Sequence, residues 1–231
     1  MKAYTSNNIR NIAVLGHGGK GKTTLCEAML YVAGATDRLG KVADGNTVLD
    51  FDAEEKRRKS SVSSAMAAIE WDNTKLNIID APGLFDFETG AAEAVRAAEA
   101  VLIVTSAGSG VDVGTEKAFK AAEKRGLAKF FAITKTDSDH RSFYKTFEAL
   151  KEVYGNKLCP TIIPYMEGNI TKSYVNLMTG MAYEYDAEGK ATKVPMPQDP
   201  VIEEMTSAFM EAVATTDDEL MEKFFEGEAF T

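Results

Sequence analysis

The stretch "GHGGKGKTT", residues 16–24, decides how the chain is read. It follows the apolar run Ile9–Leu15, which has the length of a buried strand. It precedes Leu25, Ala28, Met29 and Val32, which recur at helical spacing until Gly34 stops them. Gly16-His17-Gly18-Gly19-Lys20-Gly21-Lys22-Thr23 fits G-x-x-x-x-G-K-[ST] in this strand–loop–helix setting. Glycines there let successive backbone N–H groups converge on phosphate oxygens, and the following helix adds its positive N-terminus. Lys22 is placed to neutralise terminal phosphates, Thr23 to offer its hydroxyl to Mg2+, and Thr24 completes the nucleotide-binding run.

Outward from the loop, strand-like and helix-like segments alternate. Val62–Trp71 and Lys75–Asp80 read as strands joined by the turn Asp72-Asn73-Thr74. Ala91–Ala100 is an alanine-rich helix, Ala100–Thr105 a buried strand, Thr115–Arg125 a helix stopped by Gly126, and Lys129–Ile133 another strand. Phe143, Phe147, Leu150 and Tyr154 stripe one helix face, which Gly155 ends. Residues 35–60 have many charges and no clean period, and read as a mobile loop. The alternation predicts an α/β domain with a mostly parallel sheet covered on both faces. In such sheets a glycine-loop ligand sits at the carboxyl ends of the strands. Composition changes near 158. Tyr174–Met178 and Met181–Tyr185 read as short strands, with a turn at Asp186-Ala187-Glu188-Gly189, and Asp199-Pro200 caps a long helix striped by Ile202, Met205, Phe209, Val213, Leu220 and Phe224. The expected organisation is a core over 1–157, a β-rich insert over 158–199 and a returning helix over 200–231.

Two further motifs stand at strand ends. Asp80-Ala81-Pro82-Gly83 closes the strand that ends at Ile79. Asp80 can reach Mg2+ there, and the Gly83 N–H can meet a γ-phosphate. Thr134-Lys135-Thr136-Asp137 closes the strand that ends at Ile133. A carboxylate at Asp137 accepts hydrogens from guanine N1 and its 2-amino group, and the Lys135 stem packs beside the base. Adenine offers neither hydrogen, and an unpaired buried carboxylate costs about 3–5 kcal/mol. That is roughly two to three powers of ten against ATP. The base is therefore read as guanine.

Bulk properties limit the alternatives. The chain has 231 residues, 45% hydrophobic and 26% charged, as in an ordinary globular domain. No apolar run approaches the length of a membrane span, and the first residues lack a signal-peptide pattern. A net charge of −9 disfavours stable DNA binding. The one basic cluster, Lys56-Arg57-Arg58-Lys59, reads either as a solvated stretch or as a local RNA contact. Cys26 and Cys159 read as core thiols in a reducing compartment, and the only histidines, His17 and His140, are too few for a His-rich metal site.

With the three motifs placed, the chain resembles the GTPase domain of elongation factor G and its close paralogues, essentially end to end. "DFDAEEKRRKSSV" (50–62) resembles that family's first switch, "DAPGLFDF" (80–87) its second, and "DDELMEKFFEGEAFT" (217–231) the helix and turn after its insert. The resemblance implies a P-loop GTPase three-layer fold, GTP/GDP and Mg2+ as ligands, and Ser61 as a metal ligand beside Thr23 and Asp80. It also implies GTP hydrolysis coupled to the ribosome, a monomer, and a cytoplasmic location. A local ribosomal RNA contact would fall near Lys56–Lys59. Lys22 and Gly83 would act on the transferring phosphoryl group.

The departures cluster on one side of the site. The family's water-orienting histidine is Leu84 here, and leucine cannot hydrogen-bond water. Gly18 and Ser60 stand where the family has two apolar flanking residues, Lys59 where it has a glycine, and Thr134 where it has an asparagine. The last strand and the Ser-Ala motif of the family would follow residue 231, so the chain is expected to be the front part of a longer protein. Thr105-Ser106-Ala107 mimics that motif on an earlier strand. Two readings compete: a translational GTPase with slow or altered hydrolysis, and a GTP/GDP switch with little hydrolysis. A third, a partition-type dimeric ATPase, shares Gly-Gly-x-Gly-Lys-Thr-Thr but needs an early loop lysine where this chain has His17.

Overall fold

The computed structural model describes residues 2–136, 142–155, 158–168, 170–186 and 189–227. The chain divides after Thr136 into two units.

In the first unit, strands β1 (Ile9–Leu15), β2 (Ala65–Trp71), β3 (Thr74–Asp80), β4 (Ala100–Ser106) and β5 (Ala128–Thr134) form one sheet in the order β2-β3-β1-β4-β5. β1 runs parallel to β3 and β4, and β4 to β5; only β2 is antiparallel. Alternation along β1 sends Ala13 and Leu15 to one face and Val14 to the other. The first face packs against α3 (Glu88–Ala97) and α4 (Val113–Lys124), the second against α1 (Lys22–Val32). After β1 the chain leaves through α1 to one side of the sheet, and α3 later returns it to the other, at β4. The strand order therefore reverses at β1, whose carboxyl end opens into the glycine loop. The β2–β3 hairpin turns on Asp72 and Asn73, both at positive φ, the geometry a tight two-residue turn requires, so Thr74 already belongs to β3.

Residues 35–60 are not the featureless loop expected. They hold a 3-10 turn at Val42–Asp44 and a helix α2 (Ala53–Arg58). Asp52 and Glu55 form a reciprocal capping box on α2, and Arg57 and Arg58 both bond Glu54 one turn earlier. Arg57 and Arg58 are thus paired within the segment. Glu27, fully buried on α1, accepts from the N–H groups of Val48 (2.8 Å) and Leu49 (3.1 Å), and Leu49 enters the core.

In the second unit, β6 (Ile162–Glu167), β7 (Ile170–Asn176), β8 (Met181–Tyr185) and β9 (Ala191–Val194) form an antiparallel sheet in sequence order. Ile163, Val175 and Ala182 meet Ile202 and Phe209 of α6 (Pro200–Ala214) in its core. Phe143 of α5 (Phe143–Tyr154) joins that core, and Tyr144 Oη donates to the Pro164 carbonyl at 2.6 Å. The long helix expected after Asp199 is two helices. Asp217 caps α7 (Asp218–Glu226) by accepting from the N–H groups of Glu219 and Leu220, which breaks the path after Ala214. Cys26 is buried and Cys159 half-buried, both as free thiols. Among the described residues no helix is long and apolar enough to cross a membrane.

Candidate nucleotide-binding site

Backbone conformation explains the loop's glycines. Gly16 has φ 135°, and a Cβ on it would stand 2.2 Å from the Val104 carbonyl oxygen. Gly19 and Gly21 also lie at positive φ, and Gly21 caps α1. The loop thus turns tightly from β1 into α1, whose first residues are Lys22, Thr23 and Thr24. The buried Lys22 Nζ donates to the carbonyls of Gly16 (3.1 Å) and His17 (3.0 Å). Burial lowers its pKa, partly opposed by Asp80.

Asp80, Ala81, Pro82 and Gly83 close on this loop from the end of β3. The Ala81 N–H bonds the Val14 carbonyl at 3.2 Å. A Cβ on Gly83 would fall 2.2 Å from Lys22 Nζ and 2.8 Å from both the Gly16 oxygen and the Gly18 nitrogen, so only glycine fits. Thr23 Oγ1 donates to Asp80 Oδ2 at 2.6 Å and lies 3.1 Å from Ser61 Oγ. Ser61 Oγ in turn donates to Asp50 Oδ1 at 2.7 Å. The structure therefore brings together Thr23, Ser61 and Asp80, and adds Asp50.

The opposite wall is made by the end of β5. Thr134 Oγ1 bonds the Lys20 carbonyl at 2.7 Å, and Lys135 Nζ donates to the Gly19 carbonyl at 2.6 Å. Lys20 Nζ pairs with Asp112 at 3.3 Å, and Asp112 also caps α4. Asp137 lies outside the described residues, as does His140. His17 stands edge-on to Phe85, with ring centroids 5.5 Å apart, and its backbone is closely approached by Gly114. Gly18 faces Leu84: a Cβ there would come within 2.9 Å of Leu84 Cδ2.

A glycine loop at the sheet's switch point, walled by strand-end motifs from β3 and β5, is the arrangement of a nucleotide-binding domain. The family model for the elongation factor Tu GTP-binding domain matches residues 7–226. The chain belongs to this family.

Relatives of this GTP-binding domain include an elongation factor G-like protein of Mycobacterium tuberculosis (strain H37Rv), 34% identical over 95% of the chain and 30% of the relative. An elongation factor G-like protein of Synechocystis sp. (strain PCC 6803) is 33% identical over 98% of the chain and 34% of the relative. A crystal structure of a Thermus thermophilus protein superposes with a TM-score of 0.89 at 35% identity, covering 96% of this chain and 34% of that one. The chain spans about a third of the length of the relatives it matches.

The GTP-binding domain offers a hard cation two carboxylates and two hydroxyls. Asp50 Oδ2 and Asp80 Oδ1 are buried and lack hydrogen-bond partners among the described residues. Orphaned carboxylate oxygens beside two convergent hydroxyls fit an oxygen-ligated divalent ion. Burial is the main cause pushing Asp80 up to about 7; the Thr23 hydrogen bond and Lys22 oppose it, while Asp50 and Glu55 reinforce it. Burial also raises Asp50.

Sequence reasoning missed Asp50, Glu27 and Glu55. Glu55 accepts from Val62 and Ser63 N–H groups, placing the chain that carries Ser61. Its signal was present: Asp52 followed three residues later by Glu55 spells a capping box. Glu27 carried no such signal: it lies beside Cys26 and Leu30 on the buried face of α1, off the stripe of Leu25, Ala28, Met29 and Val32.

Proposed function

We propose that this domain binds GTP and GDP with Mg2+ and serves a cytoplasmic elongation factor G-like protein that hydrolyses GTP in response to the ribosome. Gly16 to Thr24 hold the phosphates, Lys22 neutralises them, and the Gly83 N–H meets the terminal one. Thr23, Ser61 and Asp80, with Asp50, hold the metal. Mg2+ held there would supply charge neutralisation to the nucleotide's phosphates. Thr134, Lys135 and Asp137 select guanine. The organisation carried forward is a core over 1–157, an insert over 158–199 and a returning segment over 200–231, acting as a monomer. A ribosomal RNA contact near Lys56–Lys59 belongs to the whole protein.

The observation that supports this best is the convergence of Thr23, Ser61, Asp50 and Asp80 beside Lys22 and Gly83, because it joins both switch segments to the loop. A second reading, a GTP/GDP switch with little hydrolysis, is favoured by Leu84. Its side chain rests over Gly18 and offers an attacking water no hydrogen bond. GTP hydrolysis by the full-length protein, with and without ribosomes and beside Leu84→His, separates the two. Strong ribosome stimulation of the native protein supports the GTPase. Tight GTP binding without stimulated turnover supports the switch, and Leu84→His is then expected to raise turnover by about 10²–10³. A preference for ATP in competition overturns both and revives the dimeric ATPase.

A further inference from the structure

Among the described residues four non-glycine positions have positive φ: Lys59, Asp72, Asn73 and Lys135. Asp72 and Asn73 make the hairpin turn and are residue types that suit it. The other two are lysines, and both line the same cavity of about 210 Å³ over the glycine loop, with Lys22, Thr23, Ser61 and Gly83. Left-handed backbone is unfavourable for a residue with a side chain, and it persists where function requires it. The two ammonium groups differ. Lys135 Nζ is held by the Gly19 carbonyl. Lys59 Nζ has no hydrogen-bond or ion-pair partner among the described residues, whereas its neighbours Arg57 and Arg58 are bound to Glu54. It stands 3.3 Å from the point a Cβ on Gly45 would occupy, so Gly45 leaves room for it.

We propose that Lys59 is a specificity residue that binds the terminal phosphate of the nucleotide from the first switch. This inference rests on reading the cavity as a guanine-nucleotide site. Lys59 lies at the C-cap of α2, two residues before Ser61, whose hydroxyl meets Thr23. Lys59 thus lines the cavity together with Asp50 and Ser61, the residues that converge on Thr23, and its unpaired ammonium group needs only a side-chain rotation away from Gly45 to meet the one phosphoryl group by which GTP and GDP differ. A glycine would serve the C-cap better, as its φ of 55° and ψ of 39° are glycine's ordinary helix-ending conformation. The lysine therefore carries a local backbone cost that a glycine would not.

This opposition makes the test decisive. Affinities for fluorescent GTP and GDP and the nucleotide-free melting temperature are measured on the full-length protein, for the native sequence, Lys59→Gly and Lys59→Arg. Lys59→Gly is expected to weaken GTP about tenfold, as loss of one charge-assisted contact does. It should leave GDP within about twofold and raise Tm by about 2–4 °C. Lys59→Arg should keep GTP affinity within about threefold. Unchanged GTP affinity in Lys59→Gly overturns the proposal, and equal losses for GTP and GDP overturn the terminal-phosphate assignment. A lower Tm alongside weaker binding assigns Lys59 a structural role instead. If the native protein binds neither nucleotide, the reading of the cavity fails first, and the variants are not needed to see it.

Discussion

The two flanks of the glycine loop are built from opposite materials. On the β5 side, Thr134 and Lys135 fasten the carbonyls of Lys20 and Gly19 with bonds of 2.7 and 2.6 Å, and Lys20 pairs with Asp112. On the β3 side, a Cβ on Gly18 would meet the Leu84 side chain first, at 2.9 Å from its Cδ2, and the Gly83 carbonyl at 3.6 Å. One flank is polar and saturated; the other is apolar contact between a residue with no side chain and one that cannot hydrogen-bond. A saturated flank holds the loop's shape regardless of what occupies it. The apolar flank leaves position and hydration there to Leu84, which is partly exposed at 39%. Under the proposed function, holding the nucleotide and acting on it fall to different flanks.

The largest expected effect lies where the flanks meet. Gly83→Ala drives a methyl into Lys22 Nζ and the loop backbone. Displacing the buried lysine costs about 3 kcal/mol, so calorimetry should find GTP affinity lower by about a hundredfold. Next comes pH. Asp80 is raised in the folded state to about 7, among Lys22, Asp50 and Glu55. Between about pH 4, its unfolded value, and pH 7 the folded, metal-free protein therefore binds more protons than the unfolded one. Stability should fall as pH rises through that window, and Asp80→Asn should flatten the slope in urea titrations.

On the polar flank, Thr134→Val removes hydrogen bonds to the Lys20 and Thr105 carbonyls and should cost about 1–2 kcal/mol of unfolding free energy. On the apolar flank, Gly18→Ala crowds only the movable end of Leu84 and should cost less than about 1 kcal/mol, and less still in a Leu84→Ala background. A cost for Gly18→Ala equal to that for Thr134→Val would erase the difference between the flanks.

Local rules carried most of the first unit and the start of α6 in the second. The strand–loop–helix frame, the glycines, the Asp72–Asn73 turn and the Asp199–Pro200 cap were all legible, because each depends on residues within a few positions. What was illegible depends on distant partners. Asp50 gains meaning only when Ser61 and Thr23 converge on it, and Glu27 only when residues more than twenty positions away fold back over α1. The charges of 50–59 looked like a solvated run because a periodicity search cannot see a six-residue helix held by its own caps. The break between α6 and α7 was overlooked because the apolar stripe continues across it, although Asp217 spelled a second start.

The buried carboxylate of Glu27 also fixes the chain that leads into residues 50–62. Its bonds to Val48 and Leu49 are made within the protein, and Gly40 leaves space for its second oxygen, where a Cβ would stand 2.2 Å away. Fixing the backbone of one residue costs about 1–2 kcal/mol of conformational entropy. For Val48 and Leu49, which lead into residues 50–62, that cost is met when the domain folds. Glu55 does the same beyond α2, where it holds the N–H groups of Val62 and Ser63, so nucleotide binding should carry a smaller entropic penalty than the length of the segment suggests. Native-state hydrogen exchange would show this as slow amides at Val48, Leu49, Val62 and Ser63 in the nucleotide-free protein.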